Sequence, residues 1–307
     1  MSRTPQPGVD RRRIVLAALA GGLSVAGVGL CWILAHPAGP ESAAWPGGLG
    51  VLAASLLLGM GGLELLGVEP RREMIAAVAA VWGAASVIAA WLQVADRAGV
   101  SPLHLGVDDV RLAMESGVAL LVCVAGAVAV LAWSWWPIVP ASAVGLVALI
   151  GVLVIATSGH AGVHPWTPVV VGVHALCAAW WIGTLGALML CARGRRGWAQ
   201  ALPVFSRYAL YAVGILLLTG IVAAVAELSA PEQLWSTGYG RVLLAKTVLL
   251  AGLVAVAAVH RRSWLPDVAR HRGTETGALA RAGLEVALGA VVLGLAAGLA
   301  ATAPGLS

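Results

Sequence analysis

Nine apolar stretches, each near the length of a bilayer crossing, constrain this chain more than any other feature. A transmembrane helix needs about 20 mostly apolar residues. The runs fall at about Ile14–Ala35, Gly47–Leu66, Ile75–Val94, Leu112–Trp133, Ile138–Thr157, Pro168–Leu190, Tyr208–Glu227, Val242–His260 and Ala282–Thr302. Only 11% of residues are charged, against roughly 25% in a soluble domain. The expected fold class is all-α, a polytopic transmembrane helix bundle of about nine helices. A soluble helical protein is excluded on composition.

Arginine placement orients the bundle. With the N-terminus inside, fifteen arginines fall in inner segments, and only Arg97, Arg111 and Arg241 fall outside. Cytoplasmic loops carry such an excess, so the N-terminus is read as inside and the C-terminus as outside. The net charge of +5 is therefore topology, and no nucleic-acid partner is expected. Membrane lipid is the expected surroundings. The Arg11-Arg-Arg-Ile stretch before the first run also resembles a signal sequence. The run exceeds the usual ~7–15-residue signal core, so a retained helix is expected. The chain divides into residues 1–135, with four helices, and residues 136–307, with five.

The stretch that invites chemistry is Ser158–Leu185, which holds His160, His164 and His174. An ionisable side chain at membrane depth is a functional candidate by default. His174, Cys177 and Trp181 recur at i, i+3 and i+7, sharing one helix face. Gly172, Ala175, Ala179, Gly183 and Gly186 lie opposite, a small-residue stripe of the kind that lets a neighbouring helix approach. His160 and His164 lie in the short loop at the outer end of that helix. Imidazole and thiol suit copper or zinc, but this spacing alone leaves open a buried His174 satisfied by a backbone carbonyl or hydroxyl.

Other polar residues fall within the runs: Glu64, Glu115, Glu227, Lys246 and Glu285. Glu227 and Lys246 both lie toward the outer side and suggest a charge pair. Glu285 lies toward the inner side, within reach of Arg207, His260 or Arg261. The four cysteines form no CxxC pair, and Cys31 and Cys123 read as small buried hydrophobes. Trp45, Trp91, Trp133, Trp135, Trp136, Trp166, Trp198, Trp235 and Trp264 fall near run ends and read as interfacial anchors. No nucleotide-binding loop, hydrolase triad or zinc-protease motif appears, so no enzymatic activity is expected.

Several pieces recur in a set order: Ser158-Gly-His160-Ala, His174 followed by Trp181-Ile-Gly183-Thr-Leu-Gly186, and Phe205-Ser206-Arg207. After these come Leu218-Thr-Gly220, Tyr239-Gly240-Arg-Val-Leu-Leu-Ala-Lys246, Arg261-Arg262, Glu285-Val-Ala-Leu-Gly289 and Thr302-Ala-Pro304. In order and separation, about Thr157 to Pro304 resembles the copper resistance protein D (CopD) family of bacterial inner-membrane proteins. The resemblance implies copper handling at the inner membrane and uptake from the outer side, beside a small periplasmic copper-binding partner of the CopC type. It implies His160 and His174 as copper ligands, and Lys246 and Glu285 as the family's intramembrane charges. His260 departs from an expected asparagine, which leaves open an inner-side ligand or a neutral swap.

The combined expectation is an outer mouth that captures a copper ion through His160, His174 and His164, with Cys177 a deeper candidate ligand. Trp181, Lys246, Glu285, His260 and Glu227 are the intramembrane candidates for a transport path. Neutral imidazole is the ligating form, so binding should weaken as pH falls through about 6.5. Two rivals remain: a b-type haem electron carrier, and a factor that delivers copper to an oxidase without moving it across the membrane.

Overall fold

The computed structural model describes residues 11–37, 39–114, 117–136, 138–158, 165–227, 230–270 and 274–302. Within them the chain forms α1 (Arg11–Ala35), α2 (Ala44–Gly61), α3 (Arg72–Ala98), α4 (Val107–Met114), α5 (Val118–Trp133), α6 (Ala141–Thr157), α7 (Thr167–Cys191), α8 (Gly194–Glu227), α9 (Gln233–Ser236), α10 (Gly238–Ser263), α11 (Leu265–Ala269) and α12 (Glu275–Ala300). Seven of these, α1, α2, α3, α7, α8, α10 and α12, are long and apolar enough to cross a membrane. The shorter apolar α5 and α6, of 16 and 17 residues, occupy the remaining two of the nine expected spans. The protein is a multi-pass membrane protein.

Helix ends follow local chemistry. Thr237 caps α10 by accepting the Gly240 N–H at 3.0 Å, and Thr274 caps α12 by accepting that of Gly277 at 3.1 Å. Such caps satisfy orphan donors of the first turn. α3 stops at Gly99, whose φ of +66° favours a residue without Cβ. Three boundaries differ from the hydropathy reading. The second span ends at Gly61, so Glu64 sits exposed in the 3-10 turn Leu63–Leu66 rather than within α2. The fourth is divided into α4 and α5. α8 begins fourteen residues before Tyr208, because Trp198, Ala201, Leu202 and Phe205 bury one face of that extension against the bundle.

Small residues let the backbones meet. A Cβ on Gly183 of α7 would lie 1.8 Å from the Ser55 carbonyl oxygen of α2, and Gly59 faces the Gly183 backbone in return. The expected stripe on α7 is therefore a packing surface, with Gly186 closing on Leu56. α12 packs on α1 in the same way, since a Cβ on Gly294 would lie 1.9 Å from the Ser24 carbonyl oxygen. In lipid this close packing replaces the missing hydrophobic drive between helices. One continuous core contains Leu57, Trp82, Trp181 and Leu293, so α1–α3 share it with the C-terminal helices.

Polar ties join helix ends that the arginine count places on one side. Arg13 of α1, 1% exposed, donates to the carbonyls of Met189 (2.6 Å) and Ala192 (2.7 Å) and pairs with Glu275 of α12 at 2.5 Å. Orphan carbonyls at the end of α7 thereby gain a cation. At the other side, Arg241 of α10 donates to Leu34 O at 3.0 Å and His36 O at 2.8 Å. Six of the expected tryptophan anchors, Trp45, Trp91, Trp135, Trp136, Trp166 and Trp235, are exposed. Trp198 and Trp264 are not anchors: both are buried and pack on each other at 6.2 Å, with Arg281 over Trp264.

Candidate functional site

His174 lies two turns into α7, and α8 receives its ring. Nδ1 stands 3.1 Å from Leu216 O and 3.2 Å from Thr219 Oγ1. A carbonyl only accepts, so Nδ1 carries the hydrogen and donates to it. Thr219 donates its own hydroxyl to Ile215 O at 2.7 Å, which leaves its oxygen as a second acceptor for the imidazole. In the neutral ring Nε2 then keeps its lone pair. That is how a ligating histidine is oriented from behind in metal sites. Gly220 supplies the room, because a Cβ there would lie 3.2 Å from His174 Cε1.

His174 lines a cavity of about 350 Å³ that reaches from Glu41 and Arg97 at the outer ends down to Trp181. Lys246 of α10 lines the same cavity. Cys177 is partly buried and lines neither this cavity nor the second one described below. His160, His164 and the side chain of Glu227 lie outside the described residues. Among the described residues no group of three or more His, Cys, Asp or Glu side chains is assembled. His174 is thus one prepared nitrogen, and the other candidate imidazoles, His160 and His164, precede α7 in the chain.

A second polar cluster lies toward the inner side. His260 Nδ1 of α10 meets Glu285 Oε1 of α12 at 2.6 Å, with both side chains largely buried. Of the partners considered for Glu285, the structure selects His260. Arg261 donates to both Ser206 O (2.6 Å) and Ser206 Oγ (2.5 Å). These residues line a cavity of about 440 Å³ between α8 and α10. Trp264 stands edge-on to the His260 ring at 6.0 Å, and Phe205 stacks on Trp180 at 5.8 Å.

Two groups escape a hydropathy reading. Thr219 and Gly220 set the His174 ring, and their signal is the Thr-Gly pair inside an otherwise apolar run. Arg13 counts as a topology residue in the sequence, yet it is the best-buried cation among the described residues.

Comparison with known proteins bears on this geometry directly. Residues 199–299 match the family model described as copper resistance protein D. The matched stretch includes Thr219, Gly220, Lys246, His260 and Glu285, whereas His174 precedes it. The chain is also similar to "Copper transport protein CutJ" of Bacillus subtilis (strain 168), 29% identical over 96 residues, which are 29% of this chain and 17% of that protein. It is 33% identical over 141 residues to "Inner membrane protein YebZ" of Escherichia coli (strain K12), which are 43% of this chain and 47% of that protein. The chain thus spans less than half the length of either relative. No solved structure matches.

Proposed function

We propose that this copper-related membrane protein captures a copper ion at its outer face and passes it inward across the bacterial inner membrane. Copper is here the cargo. The observation that carries the reading is the His174 ring, held through Nδ1 by Leu216 and Thr219 inside the outer cavity, with Nε2 left as a ligand nitrogen. His160 and His164, a few residues before α7, are the proposed companions, since one imidazole alone makes a weak copper site. The CopD match and the similarity to a protein named for copper transport support the choice of metal. Cys177 contributes less to this reading than the imidazoles, because it does not line the cavity. Capture requires no covalent chemistry, and the protein is proposed to act without catalysing a reaction. A CopC-type periplasmic donor remains part of the proposal.

The test is copper bound per purified protein after loading and desalting. His160→Ala and His174→Ala are expected each to lose bound copper, and His271→Ala to retain it. Equal copper in all three would overturn the assignment. Copper uptake by sealed vesicles holding only this protein then separates import from simple delivery, and a Soret band in the purified protein would favour haem instead.

A further inference from the structure

The two cavities meet at one level of the bundle. Along α7, Ala178 lines the outer cavity, Leu185 the inner, and Trp181 both. α10 changes sides between Leu253 and Val254, α12 between Gly289 and Glu285, and α8 between Leu216 and Val213. All four helices therefore pass from one lining to the other within about a turn. Among the described residues Trp181 is the side chain common to both linings, and it is 3% exposed.

We propose that Trp181 is the partition in a single cation route between α7, α8, α10 and α12, closing an outer vestibule from an inner one. The inference rests on the transport reading above for its cargo, but not for its geometry. Each vestibule holds one imidazole whose Nδ1 is engaged: His174 by the Leu216 carbonyl, and His260 by Glu285. At the crossing the linings are otherwise Ile182, Val213, Leu216, Leu253, Val254 and Gly289, with Glu285 the first polar side chain on the inner side. An aromatic face is the one apolar surface that attracts a cation, so tryptophan blocks water while presenting a passing copper ion with a surface better than leucine would. Side-chain exchange or helix movement at this level would connect the two halves.

Thiol accessibility tests the partition. In a background where Cys31, Cys123, Cys177 and Cys191 are alanine, Ala178→Cys reports on the outer vestibule and Ala257→Cys on the inner. A charged, membrane-impermeant methanethiosulfonate is applied to one face of sealed vesicles at a time. Ala178→Cys should react from the outer face only and Ala257→Cys from the arginine-rich face only. Trp181→Ala should abolish the protection of Ala257→Cys from the outer face, whereas Trp181→Phe should keep it. Trp181→Leu stands in if the alanine variant does not fold, and it should leak to a smaller extent. Labelling of Ala257→Cys from the outer face with Trp181 intact would overturn the proposal. So would full protection in the alanine variant, or in the leucine variant standing in for it. Copper uptake by the same vesicles reports on the transport reading alone: side-specific labelling without uptake removes transport and leaves the partition.

Discussion

Thr219 is the most informative single residue for the outer site. It stands between a donor to its own helix and an acceptor for His174, 45 positions earlier in the chain. Thr219→Val keeps the shape and removes that acceptor, leaving only the Leu216 carbonyl to hold the ring. Loss of an orienting partner behind a metal ligand typically costs about 10–100-fold in affinity. Copper affinity is therefore expected to fall by about tenfold, at the low end because one acceptor survives; equilibrium dialysis measures it. At the inner cluster, Glu285→Leu leaves His260 without its acceptor, while Glu285→Gln keeps an oxygen at the same place. Removing one partner of a buried pair costs about 3–5 kcal/mol. The leucine variant should unfold in detergent well below the wild type, and the glutamine variant between the two.

How legible these residues were depends on the distance over which they act. His174 is visible in the sequence as an ionisable group inside an apolar run. Its tautomer is not, because the carbonyl and hydroxyl that set it come from α8. The Glu285–His260 pair was one of three possibilities, since run position gives depth but not the rotation of one helix against another. Arg13 shows the opposite case. A charge count treats it as a solvated inner-side arginine, and no one-dimensional pattern announces the open carbonyls at the end of α7 that it fills.

At the scale of the helix, glycines decide which pairs of helices meet. Gly294 on α12 and Gly252 on α10 look alike in sequence, each a glycine inside an apolar helix. Their surroundings differ: a Cβ at 294 would lie 1.9 Å from the Ser24 carbonyl oxygen, and a Cβ at 252 meets nothing within 4 Å. Overpacking costs about 1–3 kcal/mol, whereas alanine gains up to about 1 kcal/mol over glycine in an open helix position. Gly294→Ala should thus lower the thermal unfolding temperature in detergent, and Gly252→Ala should leave it unchanged or raise it. Equal shifts would mean that α1 and α12 do not pack as described. The bundle of about nine apolar helices, seven of them long enough to cross, and the close packing at Gly183 and Gly186 of the α7 stripe were readable from apolarity and residue size. The inner extension of α8 was not: it mixes Arg195 and Arg196 with Trp198 and Phe205, so its average hydropathy hides the face that the bundle buries.

For the molecule as a whole, the number of crossings is the quantity on which orientation rests. An odd count places the two termini on opposite sides, and the weak links in that count are α5 and α6, at 16 and 17 residues. A helix of 16 residues rises about 24 Å, short of the ~30 Å hydrocarbon core. Local thinning or the flanking tryptophans Trp135 and Trp136 must absorb that mismatch. If both helices cross, Arg13 with Glu275 belongs to the inner face and Arg241 with His36 to the outer, as the polar ties pair them. A reporter active only outside the cytoplasm, fused after Ser307 or within the 228–241 segment, is then expected to be active, and the same reporter between Arg193 and Arg196 silent. If instead α5 and α6 together formed a re-entrant pair, the count would fall to seven and the parity would survive. Labelling of a cysteine placed at Ile138 separates these cases: it should react from the arginine-rich face if both helices cross, and not from that face if they form a re-entrant pair. Reaction at Ile138 from the outside would leave α5 on the wrong side of the membrane, and Arg72 at the inner start of α3, which donates to the Trp136 carbonyl, would then need a different partner.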